Sequence, residues 1–345
     1  MKDRYSEHFM IGAAVNTGHI MGTDAEGQAL VAAQFNTLTA ENDMKWEQIQ
    51  PEPGQFDFRS ADALVAFSEE NGIFVVGHTL LWHQQTPAWV FEDENGKPAS
   101  RELLLSRLKH HIETVVGRYK GRVQGWDVVN EAFEEDGSWR KSKWFEIIGP
   151  DYIEQAFRYA AAADPEAELY YNDYNMFKAA KRSGVMSMVK ALLEKGVRID
   201  GVGFQGHYGL GGPDLGNLEA SILAVKETGL QVMFTELDIS VLPFPDQEKM
   251  GADISLDFEL QEEFNPYAAG LPAEVGKELA DGYSRLFELF LRHSETISRV
   301  TFWGVEDGSS WRNSWPMAGR TDYPLLFDRN YQPKQAFHAL VELVK

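Results

Sequence analysis

At 345 residues, with 43% hydrophobic and 25% charged side chains, the chain can bury a large core and is too apolar to be disordered. Its 53 acidic against 32 basic residues leave a net charge of −21, which repels nucleic-acid phosphate and anionic lipid and removes both as expected partners. With no cysteine, it has no disulfide, thiolate metal site or thiol nucleophile.

The opening residues, Met1 to His8, lack an apolar secretory core, so a cytoplasmic location is expected, although a secreted protein with its leader removed reads the same. No run approaches the roughly 18 to 20 apolar residues that a bilayer span needs. Eight short apolar or β-branched runs then follow: Phe9 to Val15, Thr37 to Ala40, Ile73 to His78, Val123 to Asn130, Glu168 to Asp173, Gly201 to His207, Gln231 to Asp238 and Arg299 to Gly304. Helical periodicity separates them. It is clearest over Ser60 to Glu70, with Ser60 as the expected N-cap, Leu103 to Tyr119, Tyr152 to Ala163, and Pro333 to Val344, with Pro333 at the first helical position. Strand and helix alternating eight times predict a single-domain (β/α)₈ TIM barrel spanning residues 1–345.

The longest connection, residues 241–273, follows the seventh strand. It carries Asp246, Glu248, Asp253, Asp257, Glu259, Glu262 and Glu263 against the single base Lys249, with prolines at 243, 245, 266 and 272. It is expected to be an acidic rim or a small cap over a cleft that shapes aglycone binding. No repeat, low-complexity tract or linker marks an appended module.

A buried barrel strand is apolar to its end, so polar residues at the carboxyl ends carry the information. Most acidic residues are solvated, and one such carboxylate alone would mean little. Here two glutamates each stand directly beyond an apolar strand: Glu131 after Val128-Val129-Asn130, and Glu236 after Met233-Phe234-Thr235. Glycoside hydrolysis needs two facing carboxyls, one to protonate the leaving oxygen and one to attack or stabilise the anomeric carbon. The 9 Trp, 12 Tyr and 21 Phe include many core rings, but rings facing a groove are good platforms for sugar faces.

Trp126-Asp127-Val128-Val129-Asn130-Glu131 and Thr235-Glu236-Leu237-Asp238-Ile239 resemble the acid/base and nucleophile signatures of family 10 glycoside hydrolases, the retaining endo-β-1,4-xylanases. Family motifs are also resembled by Glu41-Asn42-Asp43-Met44-Lys45-Trp46, the run from Gly77 to His83, Asn172-Asp173-Tyr174-Asn175, the run from Gly203 to His207, and Trp303 to Asp307 with Ser310-Trp311. The resemblance covers the chain from about residue 9 to its end. It implies that Glu236 is the nucleophile and Glu131 the general acid/base. Like-charge repulsion from ionised Glu236 is the expected cause of a raised Glu131 pKa.

The same resemblance implies that Asn130 bonds the sugar 2-hydroxyl, that His207 backed by Asp238 holds the nucleophile, and that Asn42, Lys45, His78, Trp82, Gln205, Trp303 and Trp311 contact the sugar on the glycone side. Glu41 joins those substrate-binding residues, and Tyr174 is expected to stack on the aglycone side. Trp46 and Trp89 read as core, and His110 and His111 as structural or solvated. The implied substrate is xylan or xylo-oligosaccharide, the latter favoured by the likeness to intracellular members, with no cofactor and no metal. A metal-dependent hydrolase using His78, His83, His207 and Asp238 is disfavoured because the first strand lacks the paired histidines of such barrels. A β-1,4-glucanase and a non-catalytic sugar-binding protein compete with the xylanase reading.

Overall fold

The apolar runs become the staves of a closed barrel. The computed structural model describes residues 1–245 and 254–344. Its strands are β1 (Met10–Val15), β2 (Thr37–Ala40), β3 (Phe74–His78), β4 (Gly125–Asn130), β5 (Glu168–Asp173), β6 (Gly201–Phe204), β7 (His207–Gly209), β8 (Gln231–Ser240) and β9 (Ile297–Phe302). All neighbours run parallel, from β1 through β6, on to β8 and β9, and back to β1. Eight strands therefore close the cylinder, and short β7 continues β6 outward to pair with the end of β8.

The sixth run was expected to be one strand and is two. Its break falls at Gln205-Gly206, where Gly206 has φ +86°, a conformation a side chain would strain. The break frees His207 to pair with Asp238.

At least one helix follows each stave and packs its apolar face on the barrel. Several boundaries differ from expectation, two of them at helix starts assigned to particular residues. The helix expected to start at Ser60 begins at Arg59 after Phe58, and the free amide is met by Asp57 Oδ1, which accepts from Arg59 N at 3.1 Å, so Ser60 lies inside the helix and caps nothing. The last helix runs Gln335–Leu343, with Pro333 two residues ahead of it in a bridge to Phe327. Neither Ser60 nor Pro333 takes the helix-start position that the sequence suggested.

The connection after β8 ends at the helix Ala273–Arg292. Its described part is tied to the segment after β9: Phe258 N donates to Pro316 O at 2.8 Å, Thr321 N to Asn265 Oδ1 at 2.9 Å, and Tyr323 OH to Tyr267 O at 3.0 Å. Asp246, Glu248, Lys249 and Asp253 lie outside the described residues. No helix among the described residues is long and apolar enough to cross a membrane.

Candidate active site

Parallel staves deliver their last side chains to one face, where loops leave room for a ligand. A cleft of about 320 Å³ opens there. Its walls include both Glu131 and Glu236, together with Asn130 and His207. Glu41, Asn42, Lys45, His78, Trp82, Trp303 and Trp311 line the same space, so these expected substrate-binding residues converge. Two lining residues were not foreseen, Gln85 and Ile254. Ile254 belongs to the connection after β8 and stands at the end of the cleft that Glu41 and Trp311 form. Among its described residues, the connection thus reaches the residues expected to hold the glycone.

Glu131 and Glu236 are 3% and 5% exposed, so each carboxyl must find partners in the protein. Trp82 Nε1 donates to Glu131 Oε2 and Gln205 Nε2 to Glu131 Oε1, both at 2.8 Å. Gln205 Nε2 also reaches Asn130 Oδ1 at 3.3 Å. Asn172 Nδ2 donates to the same Asn130 oxygen at 3.0 Å and to Glu236 Oε1 at 2.8 Å. Two side-chain amides and one amide oxygen therefore bridge the carboxylates. Gln205, expected to touch the sugar, does not line the cleft and spends its N–H groups on this bridge. Asn172, in a motif but not singled out, sits at the end of β5, where the strand-end rule could have found it.

Behind Glu236 the charges alternate. His207 Nε2 stands 3.1 Å from Glu236 Oε2 and His207 Nδ1 3.1 Å from Asp238 Oδ1. Asp238 Oδ1 accepts from Arg312 Nη2 at 2.8 Å and Nε at 3.1 Å, and its Oδ2 accepts from Trp311 Nε1 at 2.7 Å. Burial works to raise the Asp238 carboxyl, but Arg312 and His207 hold it down at about 2. Burial works to lower His207, yet Asp238 and Glu236 raise it above the ordinary imidazole value. An imidazolium between two carboxylates is the consistent reading. Burial also opposes ionisation of Glu236, but the His207 bond, the charges of His78 and His207, and the Asn172 bond bring its pKa below the usual value.

Glu131 moves the other way, up to about 7. Burial is the main cause and the Asp173 carboxylate adds to it, while the bonds from Gln205 and Trp82 pull back. The expected repulsion from Glu236 is not the leading cause. Two carboxyls with oppositely shifted pKa values on one cleft can act as an acid and a nucleophile at the same pH.

The remaining expectations sort by contact. His78 Nδ1 lies 2.9 Å from Asp127 Oδ2, which fixes its ring beside Trp303. Lys45 Nζ donates to Asn42 Oδ1 at 2.9 Å and Gln85 Oε1 at 2.7 Å, and lies 4.9 Å from the Trp82 ring centre. Tyr174 does not line the cleft: its hydroxyl accepts from Arg140 Nη2 at 2.8 Å and Lys181 Nζ covers its ring at 3.5 Å. Trp46 is core, stacked on buried His111, while Trp89 is half-buried with its Nε1 bonded to Pro51 O. His110 is exposed. No three His, Asp or Glu among the described residues are gathered to hold a metal ion.

The sequence profile described as Glycosyl hydrolase family 10 matches residues 1–343. Endo-1,4-beta-xylanase A of Xylanibacter ruminicola is 46% identical over 343 residues, covering 99% of this chain and 93% of that protein. An endoxylanase of the same family from a sugarcane soil metagenome has a solved structure that superposes with a TM-score of 0.97 at 44% identity, over 99% of each chain. The intracellular xylanase of Thermoanaerobacterium saccharolyticum, solved as a mutant with xylotriose, gives a TM-score of 0.85 at 37% identity, over 99% of this chain and 97% of that one.

Proposed function

This chain belongs to glycosyl hydrolase family 10 and is a retaining endo-1,4-β-xylanase, and we propose that Glu236 is its nucleophile and Glu131 its general acid and base. The observation that carries the assignment is the opposite displacement of the two pKa values on the walls of one cleft. A glucanase is not favoured, since relatives 41–46% identical to this chain are described as xylanases.

In the first step the Glu236 carboxylate forms a bond to the anomeric carbon while the glycosidic C–O bond breaks and Glu131 gives its proton to the departing oxygen. Negative charge leaves Glu236 as the ester forms, and Glu131 is now the base. It takes a proton from water, whose oxygen attacks the anomeric carbon and releases Glu236. Two inversions restore the β configuration. Asn130, bridged to both carboxyls, faces the cleft where a hydroxyl bond can strengthen in the transition state.

Glu236→Ala tests the assignment. Activity on an aryl xylobioside should vanish, and added azide should restore turnover with an α-glycosyl azide product; a β-azide product or undiminished activity would reject Glu236 as the nucleophile. The likeness to an intracellular enzyme bound to xylotriose supports soluble xylo-oligosaccharides as the preferred substrate. Rates on xylohexaose should then exceed those on insoluble xylan, and the reverse order rejects the preference.

A further inference from the structure

The backbone of Glu131 is unusual for a glutamate. Its φ is +58°, in the left-handed region, which costs a residue with a Cβ on the order of 1 kcal/mol or more and persists only where surroundings hold it. One side of the residue is pinned by β5, since Glu131 N donates to Asn172 O at 2.9 Å. The other side is pinned by a side chain nine residues on. Asp136-Gly137 turns the chain, with Gly137 at φ +80°; the Phe133 and Trp139 rings meet at 4.5 Å, and Arg140 N donates to Ala132 O at 2.8 Å. This hairpin returns Arg140 to the residue it left, and Arg140 Nε donates to the Glu131 carbonyl at 3.0 Å. The same guanidinium is held by the Tyr174 hydroxyl at 2.8 Å and by Glu134 at 3.4 Å. Neither Glu131 carboxyl oxygen is bonded by Arg140, so the guanidinium acts on the backbone that aims the acid.

We propose that Arg140 is a positioning residue for proton delivery, clamping the left-handed backbone of Glu131 so that its carboxyl meets the departing glycosidic oxygen. This rests on the acid/base role proposed for Glu131. Without the clamp the strained backbone relaxes, and a displacement of about 1 Å at a reacting group can cost about 10²-fold in rate. The cost falls where a proton is needed. A sugar hydroxylate is a poor leaving group and requires the acid, whereas dinitrophenolate departs unprotonated.

The test compares kcat/KM on xylohexaose and on 2,4-dinitrophenyl β-xylobioside for Arg140→Met and Arg140→Lys. Arg140→Met should lose about 10- to 100-fold on xylohexaose and less than about 3-fold on the dinitrophenyl substrate. Arg140→Lys keeps the charge but not a planar fork that reaches both Glu131 O and Tyr174 OH, so it should show the same split.

The pH profile separates charge from geometry. The charged and titratable groups around Glu131 are Asp173 and Tyr174 from the β5 end, Lys45 after β2 and Arg140 itself, with Glu41, His78, His207 and Glu236 on the walls of the same cleft. Removing Arg140 removes a charge that lowers the Glu131 pKa, so the basic limb should move up in Arg140→Met and stay in place in Arg140→Lys. Equal losses on both substrates, or a lysine variant with wild-type rates, overturn the proposal. If the methionine variant does not fold, the lysine variant carries the same comparison. Glu131→Ala run in parallel isolates the premise: equal impairment on both substrates there would remove the acid role itself.

Discussion

The barrel buries charge at two levels, and the two are built differently. At the carboxyl ends of the staves, Arg312, Asp238, His207 and Glu236 alternate in sign and end in a carboxylate that faces a cleft. In the amino-terminal half of the same cylinder, Arg299 on β9 is 1% exposed and lies 4.3 Å over the ring of Tyr170 on β5 and 5.6 Å from that of Phe74. Its Nη1 donates to the Tyr170 hydroxyl at 3.0 Å, and that hydroxyl donates to Glu168. Val76 and Met233 pack around the ring. The lower charge is closed in by aromatic faces and turned toward no opening. The upper charges shift one another's protonation and stop at a reactive group. Burial alone does not mark a site; a shifted carboxyl that meets open space does.

The largest effect that would break this contrast comes from the upper network. Asp238→Asn leaves Arg312 buried beside a neutral group and takes away the anion that keeps His207 charged. Turnover should fall by about 10²- to 10⁴-fold, by analogy with loss of the carboxylate behind a catalytic histidine, and unfolding should be easier by about 3 kcal/mol. Steady-state kinetics and chemical denaturation measure the pair; wild-type turnover would show that the alternating charges are only structural.

A smaller effect sharpens the contrast through pH. Glu131, raised to about 7, stays protonated and able to donate up to that pH, so kcat/KM on xylohexaose should decline as pH rises through about 7. Glu236, lowered, stays ionised below the usual carboxylate range, so the acid limb should lie below the ordinary glutamate value. On 2,4-dinitrophenyl β-xylobioside, whose leaving group needs no proton, that basic limb should be missing from kcat/KM. A basic limb that survives belongs to another group.

The staves and the two glutamates were legible because a barrel strand is a short apolar run and its carboxyl end is where polar residues stand out. Thr37–Ala40 and Glu168–Asp173 begin and end where the sequence pattern does. The break at Gly206 was not legible, since glycine permits a positive φ without requiring it. Ser60 and Pro333 were plausible cap residues whose register was decided by neighbouring structure, by Asp57 in one case and the Phe327 bridge in the other. Arg140 and Arg312 were missed for a different reason. Arg140 comes from a loop and Arg312 from a single 3-10 turn (Trp311–Asn313), and an arginine in such a connection reads as a solvated surface charge until the fold shows which carbonyl or carboxylate it meets. The cause of the Glu131 shift was out of reach too, because burial and the approach of Asp173 are properties of packing.

The smallest expected effect falls on the lower cluster and isolates stability from chemistry. Tyr170→Phe keeps the ring on which Arg299 lies and removes only the hydroxyl. Arg299 Nη2 has no hydrogen-bond partner among the described residues, so losing the Nη1 contact leaves the end of a buried guanidinium without the acceptor that now serves it. Stranding a buried donor costs about 1–3 kcal/mol, which should appear as a lower denaturation midpoint. The hydroxyl belongs to the third residue of β5, while the chemistry gathers at its end, where Asn172 meets Glu236. Turnover and both limbs of the pH profile should therefore match wild type at temperatures where the variant is folded. A shifted limb would mean that the two buried clusters are coupled along β5, and the division between a closed structural charge and an open reactive one would have to be drawn elsewhere.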